Sequence, residues 1–251
     1  MADVYKILVE YDGSGFAGFQ EQDKRTKKPT VAGALSDAIF EFSGERVQVF
    51  SAGRTDAGVH ALAMPVHFPL ERKTTAREIM GALNFYLAKA GGKCSVLKAA
   101  KAKPGFHARF SCKGREYMYR ILNRPARAAL LDGKAWQVWP KLNIKAMDEA
   151  ARLLVGNHDF SSFRGGGCQA KSPIKTLDSI SVKKSGGLIV VRIKAKSFLY
   201  HQVRNIVGTL KQVGEGKLKP SDMKKILRAK SRASAGPTAP AAGLYFVKAT
   251  Y

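Results

Sequence analysis

Acidic residues are scarce in this 251-residue chain: 19 Asp and Glu stand against 43 Lys and Arg, a formal net charge of +24. An excess that large, spread along the whole length, implies a polyanionic partner, and nucleic acid leads. A membrane surface is the weaker reading, because no basic helix with a broad apolar face is evident. Long apolar runs are missing as well, so nothing reads as a bilayer span. The N-terminus, Met1-Ala2-Asp3-Val4-Tyr5, enters a strand-like pattern at once, and no signal or transit peptide is expected. Cysteine is limited to Cys94, Cys112 and Cys168, odd in number and far apart. That pattern suits reduced thiols of a cytoplasmic protein, not a disulfide frame or a zinc site. No Rossmann fingerprint, P-loop or His/Cys cluster at metal-ligand spacing occurs, so neither cofactor nor metal is expected.

What is present suffices for a core. Hydrophobic residues make up 45% of the chain, an ordinary globular value, and the length allows one large domain or two modest ones. Val4–Glu10 alternates as a strand. Val31, Ala34, Leu35, Ala38, Ile39 and Phe42 then recur at helical spacing until Gly44. Strands over Val47–Phe50, Leu62–Phe68 and Ser95–Ala100 and a helix over Thr75–Leu87 complete the order β-α-β-β-α-β, that of a ferredoxin-like split unit. Past Pro104 the order recurs. A strand at Glu116–Leu122 is followed by a helix marked by Ile144, Met147, Ala151, Leu154 and Val155. A hairpin joins Ile180–Lys184 to Leu188–Ala195 across Ser185-Gly186-Gly187. Next come a helix through Val203, Ile206, Val207, Leu210 and Val213, a short one at Ser221–Arg228, and a last strand at Leu244–Thr250. The Ala/Pro/Gly stretch 233–243 reads as a loop. The expected class is α+β: two ferredoxin-like (RRM-like) β-α-β-β-α-β halves, 1–106 and 107–251, with mainly antiparallel sheets flanking a central basic cleft.

One stretch carries chemistry: Gly53-Arg54-Thr55-Asp56-Ala57-Gly58-Val59-His60. It sets a carboxylate between a cation and glycines that free the backbone for a sharp turn and close approach. Arg54, permanently charged, would hold Asp56 ionised. The plainer reading is a strand-connecting turn with a surface ion pair.

This run closely resembles the active-site signature of the TruA family of tRNA pseudouridine synthases. Further segments resemble the same family in order: Tyr11-Asp12-Gly13-Ser14-Gly15-Phe16-Ala17-Gly18-Phe19-Gln20, His107-Ala108-Arg109-Phe110, Arg115-Glu116-Tyr117-Met118-Tyr119, Ser161-Ser162-Phe163-Arg164, Phe198 to Gly208, and Gly243-Leu244-Tyr245. The chain departs from that pattern in a basic insertion, Lys24-Arg25-Thr26-Lys27-Lys28, in Ala32 where many members carry glutamine, and in Phe19 where tryptophan is frequent.

The resemblance implies an isomerase that needs no cofactor. It breaks the C1′–N1 bond of a uridine in tRNA, rotates the uracil and joins C5 to C1′, at positions 38 to 40 of the anticodon stem-loop, as a homodimer. It makes Asp56 the catalytic residue, and an ionised carboxylate can act beside a sugar as nucleophile or base. It also implies that Arg204 pairs with Asp56, that Tyr117 stacks on the target base and that Leu244 forms an apolar wall excluding water. Tyr119 shares the strand face of Tyr117, and the residues alone do not choose between them. Arg192 and Lys194, with Lys196, lie on one strand face as a solvated surface or as contacts to the RNA backbone. His60, His107 and His201 read as structural or RNA-contacting, and Gly165-Gly166-Gly167 as a phosphate-contacting loop or a plain turn. Two other classes compete: a non-catalytic RNA-binding module, although no aromatic RNP signature is present, and a glycosidase or nucleoside hydrolase, which requires two facing carboxylates where the loop supplies one.

Overall fold

A computed structural model describes residues 2–20 and 28–251; of the basic insertion Lys24–Lys28, only Lys28 falls within them. Among the described residues the elements run β1 (Asp3–Tyr11), α1 (Val31–Ser43), β2 (Phe50–Ser51), β3 (His60–Leu70), α2 (Ala76–Lys89) and β4 (Cys94–Lys101). They continue with β5 (Gly114–Asn123), β6 (Trp136–Val138), α3 (Ile144–Arg152), β7 (Gly156–Asp159), β8 (Ile174–Ser185) and β9 (Leu188–Ala195). The last are α4 (Gln202–Gly214), α5 (Asp222–Ala229) and β10 (Leu244–Thr250). The class is α+β and the pairing mostly antiparallel. The described residues up to Lys113 form one compact unit with Tyr245–Tyr251, and Gly114–Leu244 form another. Against a division at 106/107, this gives residues 107–113 and the end of the chain to the N-terminal unit.

In that unit the alternation of β1 buries Tyr5, Ile7, Val9 and Tyr11, each at period two on the helix-covered side. β1 pairs antiparallel with β3 and β4. The other edge of β3 is shared by β2, antiparallel at Phe50↔His67, and β10, parallel at Tyr245↔His60. The expected strand Val47–Phe50 shrinks to Phe50–Ser51 because the Val47 carbonyl accepts the Ser36 hydroxyl of α1 (3.0 Å) instead of a ladder N–H. Thr30 caps α1 by accepting the Gly33 N–H, and Thr75 and Glu78 form a capping box that starts α2. Ile79, Leu83 and Leu87 of α2 are buried at a spacing of four, each contributing about 1.5–3 kcal/mol. Asn84, between them, uses its amide on both backbone groups of Val96 (2.7 and 2.9 Å). Val96 is the partner of Val9 where the β1–β4 register slips, between Leu8 and Val9, and the Asn84 side chain satisfies backbone groups that β4, an edge strand, leaves open.

The C-terminal unit orders its strands β5-β9-β8-β7, all antiparallel, with β6 parallel on the other edge of β5. β6 and β7 were not expected, and β8 begins at Ile174 where the sequence suggested Ile180. α3 stops at Arg152, short of Leu154 and Val155. α4 buries Val203, Ile206, Val207, Leu210 and Val213 as its periodicity requires. Residues 233–243 are irregular apart from two short 3-10 turns.

Candidate active site

The Gly53–His60 loop runs from β2 to β3, and its backbone is held from outside. The Phe19 N–H donates to the Thr55 carbonyl (3.0 Å), while the Gly18 and Phe19 carbonyls accept the first N–H groups of α1, from Val31 and Ala32. The Thr55 hydroxyl bonds the Tyr11 phenol inside the core (2.8 Å). The Asp56 carbonyl accepts the Val59 N–H across the turn (3.1 Å). These links make the Tyr11–Gln20 segment a cradle for the loop, a role that the sequence motif alone did not disclose. Two glycines permit the fit. A Cβ at Gly13 would lie 2.1 Å from the Val59 carbonyl oxygen, and one at Gly18, where φ is +109°, 2.9 Å from that of Thr55. No other residue lets backbones approach so closely. Phe19, in the place of the frequent tryptophan, is fully buried against Tyr11, and Ala32 is buried at the start of α1.

His60 closes the loop as a structural residue. Its buried ring stacks on Tyr245 of β10 (centroids 4.6 Å, 20°), and its Nδ1 lies 3.1 Å from the Gly13 nitrogen and 3.2 Å from Asp12 Oδ1. Burial pushes the Asp12 carboxyl up, but hydrogen bonds from Ser14, with His60 and Lys93 beside it, hold it below its ordinary value. Asp56 is half-buried. Arg54 does not pack into the loop; it is exposed. It presents a cation beside the loop instead.

The C-terminal unit separates the two tyrosines. Tyr119 is fully buried, donates its hydroxyl to the Pro240 carbonyl (2.7 Å) and meets Trp136 edge-on. Burial pushes its phenol well above the ordinary value, so it stays a neutral donor locked in the core. Tyr117 sits at the margin of burial, edge-on to Phe198 of the Phe198–Gly208 segment (5.2 Å). Of the pair, Tyr117 is the less buried, 9% exposed against 0% for Tyr119. Leu244 opens β10 and is buried.

Arg204 lies on the first turn of α4, and its Nε donates to the Ala239 carbonyl (2.7 Å) while the Ala239 N–H returns a bond to the Arg204 carbonyl (3.1 Å). The next residue, Asn205, is fully buried. Its Oδ1 accepts from Thr238 (2.6 Å) and Arg232 (3.1 Å), and its Nδ2 donates to the Phe163 carbonyl. This network pins the irregular 233–243 stretch to α4 beside Arg204, and sequence reasoning missed it. Arg164 donates to the carbonyls of Cys168 (2.6 Å) and Ala170 (2.9 Å), closing the Gly165–Gly167 turn on itself. His201 takes a left-handed conformation (φ 59°) with its ring stacked on Tyr200 (3.8 Å). Arg192, Lys194 and Lys196 are exposed while Val191, Ile193 and Ala195 are buried. Arg192 pairs with Glu116 (2.8 Å), leaving Lys194 the more available cation. The three cysteines are free thiols. No helix is long and apolar enough to cross a membrane among the described residues.

Residues 7–111 and 150–251 match the tRNA pseudouridine synthase family; Tyr117 and Tyr119 lie between the matched segments. A protein named tRNA pseudouridine synthase A from Rhodospirillum centenum is 54% identical over 247 residues, 98% of this chain and 99% of that protein. Proteins of the same name from Allorhizobium ampelinum and Wolbachia pipientis are each 47% identical over 98% of the chain, covering 94% and 99% of their own lengths. The loop cradled by its glycines and these matches over nearly the full length lead to one assignment: the chain belongs to the family of tRNA pseudouridine synthases.

Proposed function

We propose that this protein isomerises uridine to pseudouridine at positions 38 to 40 of the tRNA anticodon stem-loop, with Asp56 as its catalytic carboxylate. In the reaction C1′–N1 is broken, C5–C1′ is formed, and the hydrogen lost from C5 is balanced by one gained at N1. The observation that carries the reading is the Gly53–His60 loop, which is held by the Phe19 N–H on the Thr55 carbonyl, by the Tyr11 phenol on the Thr55 hydroxyl, and by the close approach of Gly13 to Val59. A carboxylate on so constrained a loop is held where it can meet a reacting sugar without reorganising. Tyr117, Arg204 and Leu244 support it in the roles that the family resemblance gives them, Arg54 adds a positive charge beside the loop, and Lys194 and Arg192 contact the RNA backbone. The order β1-α1-β2-β3-α2-β4, with β1 between β4 and β3, supports a ferredoxin-like N-terminal half. Two copies of the chain hold one tRNA, in the cytoplasm and without a cofactor.

The test is direct. Purified protein incubated with an unmodified tRNA transcript should yield pseudouridine at one or more of positions 38 to 40 and nowhere else. Binding without product would favour a non-catalytic RNA module.

A further inference from the structure

The His107-Ala108-Arg109-Phe110 segment has no part in the chemistry derived above, yet its geometry is as constrained as that of the catalytic loop. The Phe110 ring is 76% exposed. A large apolar side chain in that position is ordinarily on a mobile loop, but this turn is locked. The Nδ1 of His107 accepts the N–H groups of Arg109 (3.1 Å) and Phe110 (3.3 Å). The Ser111 hydroxyl accepts the His107 N–H, and the His107 carbonyl accepts the Ser111 N–H. Behind Phe110 the rings continue inward as a ladder. Phe110 lies 4.3 Å from His107, His107 4.6 Å from His67, and His67 stacks on Phe50 at 5.0 Å. His67 is in turn anchored by the Ala108 N–H (3.2 Å). The Arg109 guanidinium lies 5.7 Å from the Phe110 centroid.

We propose that Phe110, backed by the His107–His67–Phe50 ladder and flanked by Arg109, is a stacking platform for an unpaired nucleobase of the bound tRNA. The proposal rests on the tRNA reading above and adds a contact to it. A rigid ring recovers stacking energy without losing side-chain freedom on binding. A guanidinium beside it supplies the phosphate contact that a nucleotide brings along. The strongly positive chain selects RNA over a neutral partner. Because the ring already faces solvent, its removal costs the fold little.

The experiment measures equilibrium binding of an unmodified tRNA transcript to wild type, Phe110→Ala, Phe110→Leu and Phe110→Trp, with sedimentation mass and thermal midpoint recorded for each. Loss of stacking should weaken Phe110→Ala and Phe110→Leu by roughly five- to a hundred-fold, while Phe110→Trp binds at least as well as wild type. The indole of Phe110→Trp should also be quenched on adding tRNA by more than the native tryptophans are. Wild-type affinity in both Phe110→Ala and Phe110→Leu overturns the proposal. So does a change in sedimentation mass with tRNA affinity intact, which would make the ring a contact between two copies of the chain. If wild type itself neither binds nor modifies the transcript, the tRNA reading fails, an outcome distinct from a normal wild type with an indifferent Phe110→Ala.

Discussion

Replacing Gly13 by alanine adds a single methyl group, and the structure says where it goes. The new Cβ would sit 2.1 Å from the Val59 carbonyl oxygen and 2.4 Å from its carbon, whereas an ordinary contact begins at 3.4 Å. The backbone on one side must therefore retreat by about 1.3 Å, the difference between those distances. Val59 is tied by its N–H to the carbonyl of Asp56, so the displacement is passed to the residue proposed to do the chemistry. Overpacking of this kind costs about 1–3 kcal/mol of stability. A misplacement on the order of 1 Å in a catalytic group can cost about a hundred-fold in rate. The assay compares pseudouridine formation under single-turnover conditions with the thermal midpoint, for Gly13→Ala and for Gly81→Ala as a control. Gly81 lies in α2 with nothing within 4 Å of its would-be Cβ, and alanine there should stabilise the helix by about 0.5–1 kcal/mol at unchanged turnover. A folded Gly13→Ala that turns over like wild type would refute the cradle.

Three further outcomes are expected. Tyr119→Phe leaves the Pro240 carbonyl without its donor and should lower stability by about 1–3 kcal/mol, with turnover of the folded enzyme within a few-fold; a melting curve and a rate at low temperature separate the two. Arg204→Lys cannot reproduce the Nε bond to Ala239. It should lower turnover on the order of a hundred-fold with a much smaller loss of tRNA affinity, whereas Arg192→Ala should weaken binding slightly and spare the chemical step; equal small effects from both would make Arg204 a surface residue. Burial, with His107 adding, holds His67 below its ordinary value of 6.5. The unfolded chain then binds the extra proton first, so stability should fall as pH drops below about 6.5, by up to about 1.4 kcal/mol per pH unit. Chemical denaturation from pH 7 to 5 should show a shallower fall in His67→Gln, and parallel curves would contradict the assignment.

The parts of this protein that were legible in its sequence are those written locally. The periodicity of α1 and its stop at Gly44, the helix expected from Thr75, and the alternation of β1 and β9 are all set within a few residues of chain. The Gly53–His60 motif is legible for the same reason, as eight consecutive residues. What was not legible depends on distant partners. β6 and β7 are short, and Gly156-Asn157-His158-Asp159 carries no β-rich signal until β8 pairs with it. Val47 left the expected strand because a helix serine reached its carbonyl. The end of the chain groups with the N-terminal unit through a parallel pairing at His60 that no local pattern encodes. In the site, the tyrosines of β5 were indistinguishable until Tyr119 was seen bonded to Pro240, 121 positions away. The glycines of the Tyr11–Gln20 segment were visible as a motif, but their purpose appears only where they meet residues 55–59.

The central claim is that Asp56 performs the chemistry. Asp56→Asn keeps the shape of the side chain and removes its charge, and the measurement is release of label from tRNA carrying tritium at C5 of uridine, with transcript affinity determined in parallel. Binding should stay within a few-fold of wild type, because a carboxylate adds no attraction for phosphate. Label release should not rise above background over many wild-type half-times. Substantial release by Asp56→Asn, with the protein folded and the tRNA bound, would contradict the account.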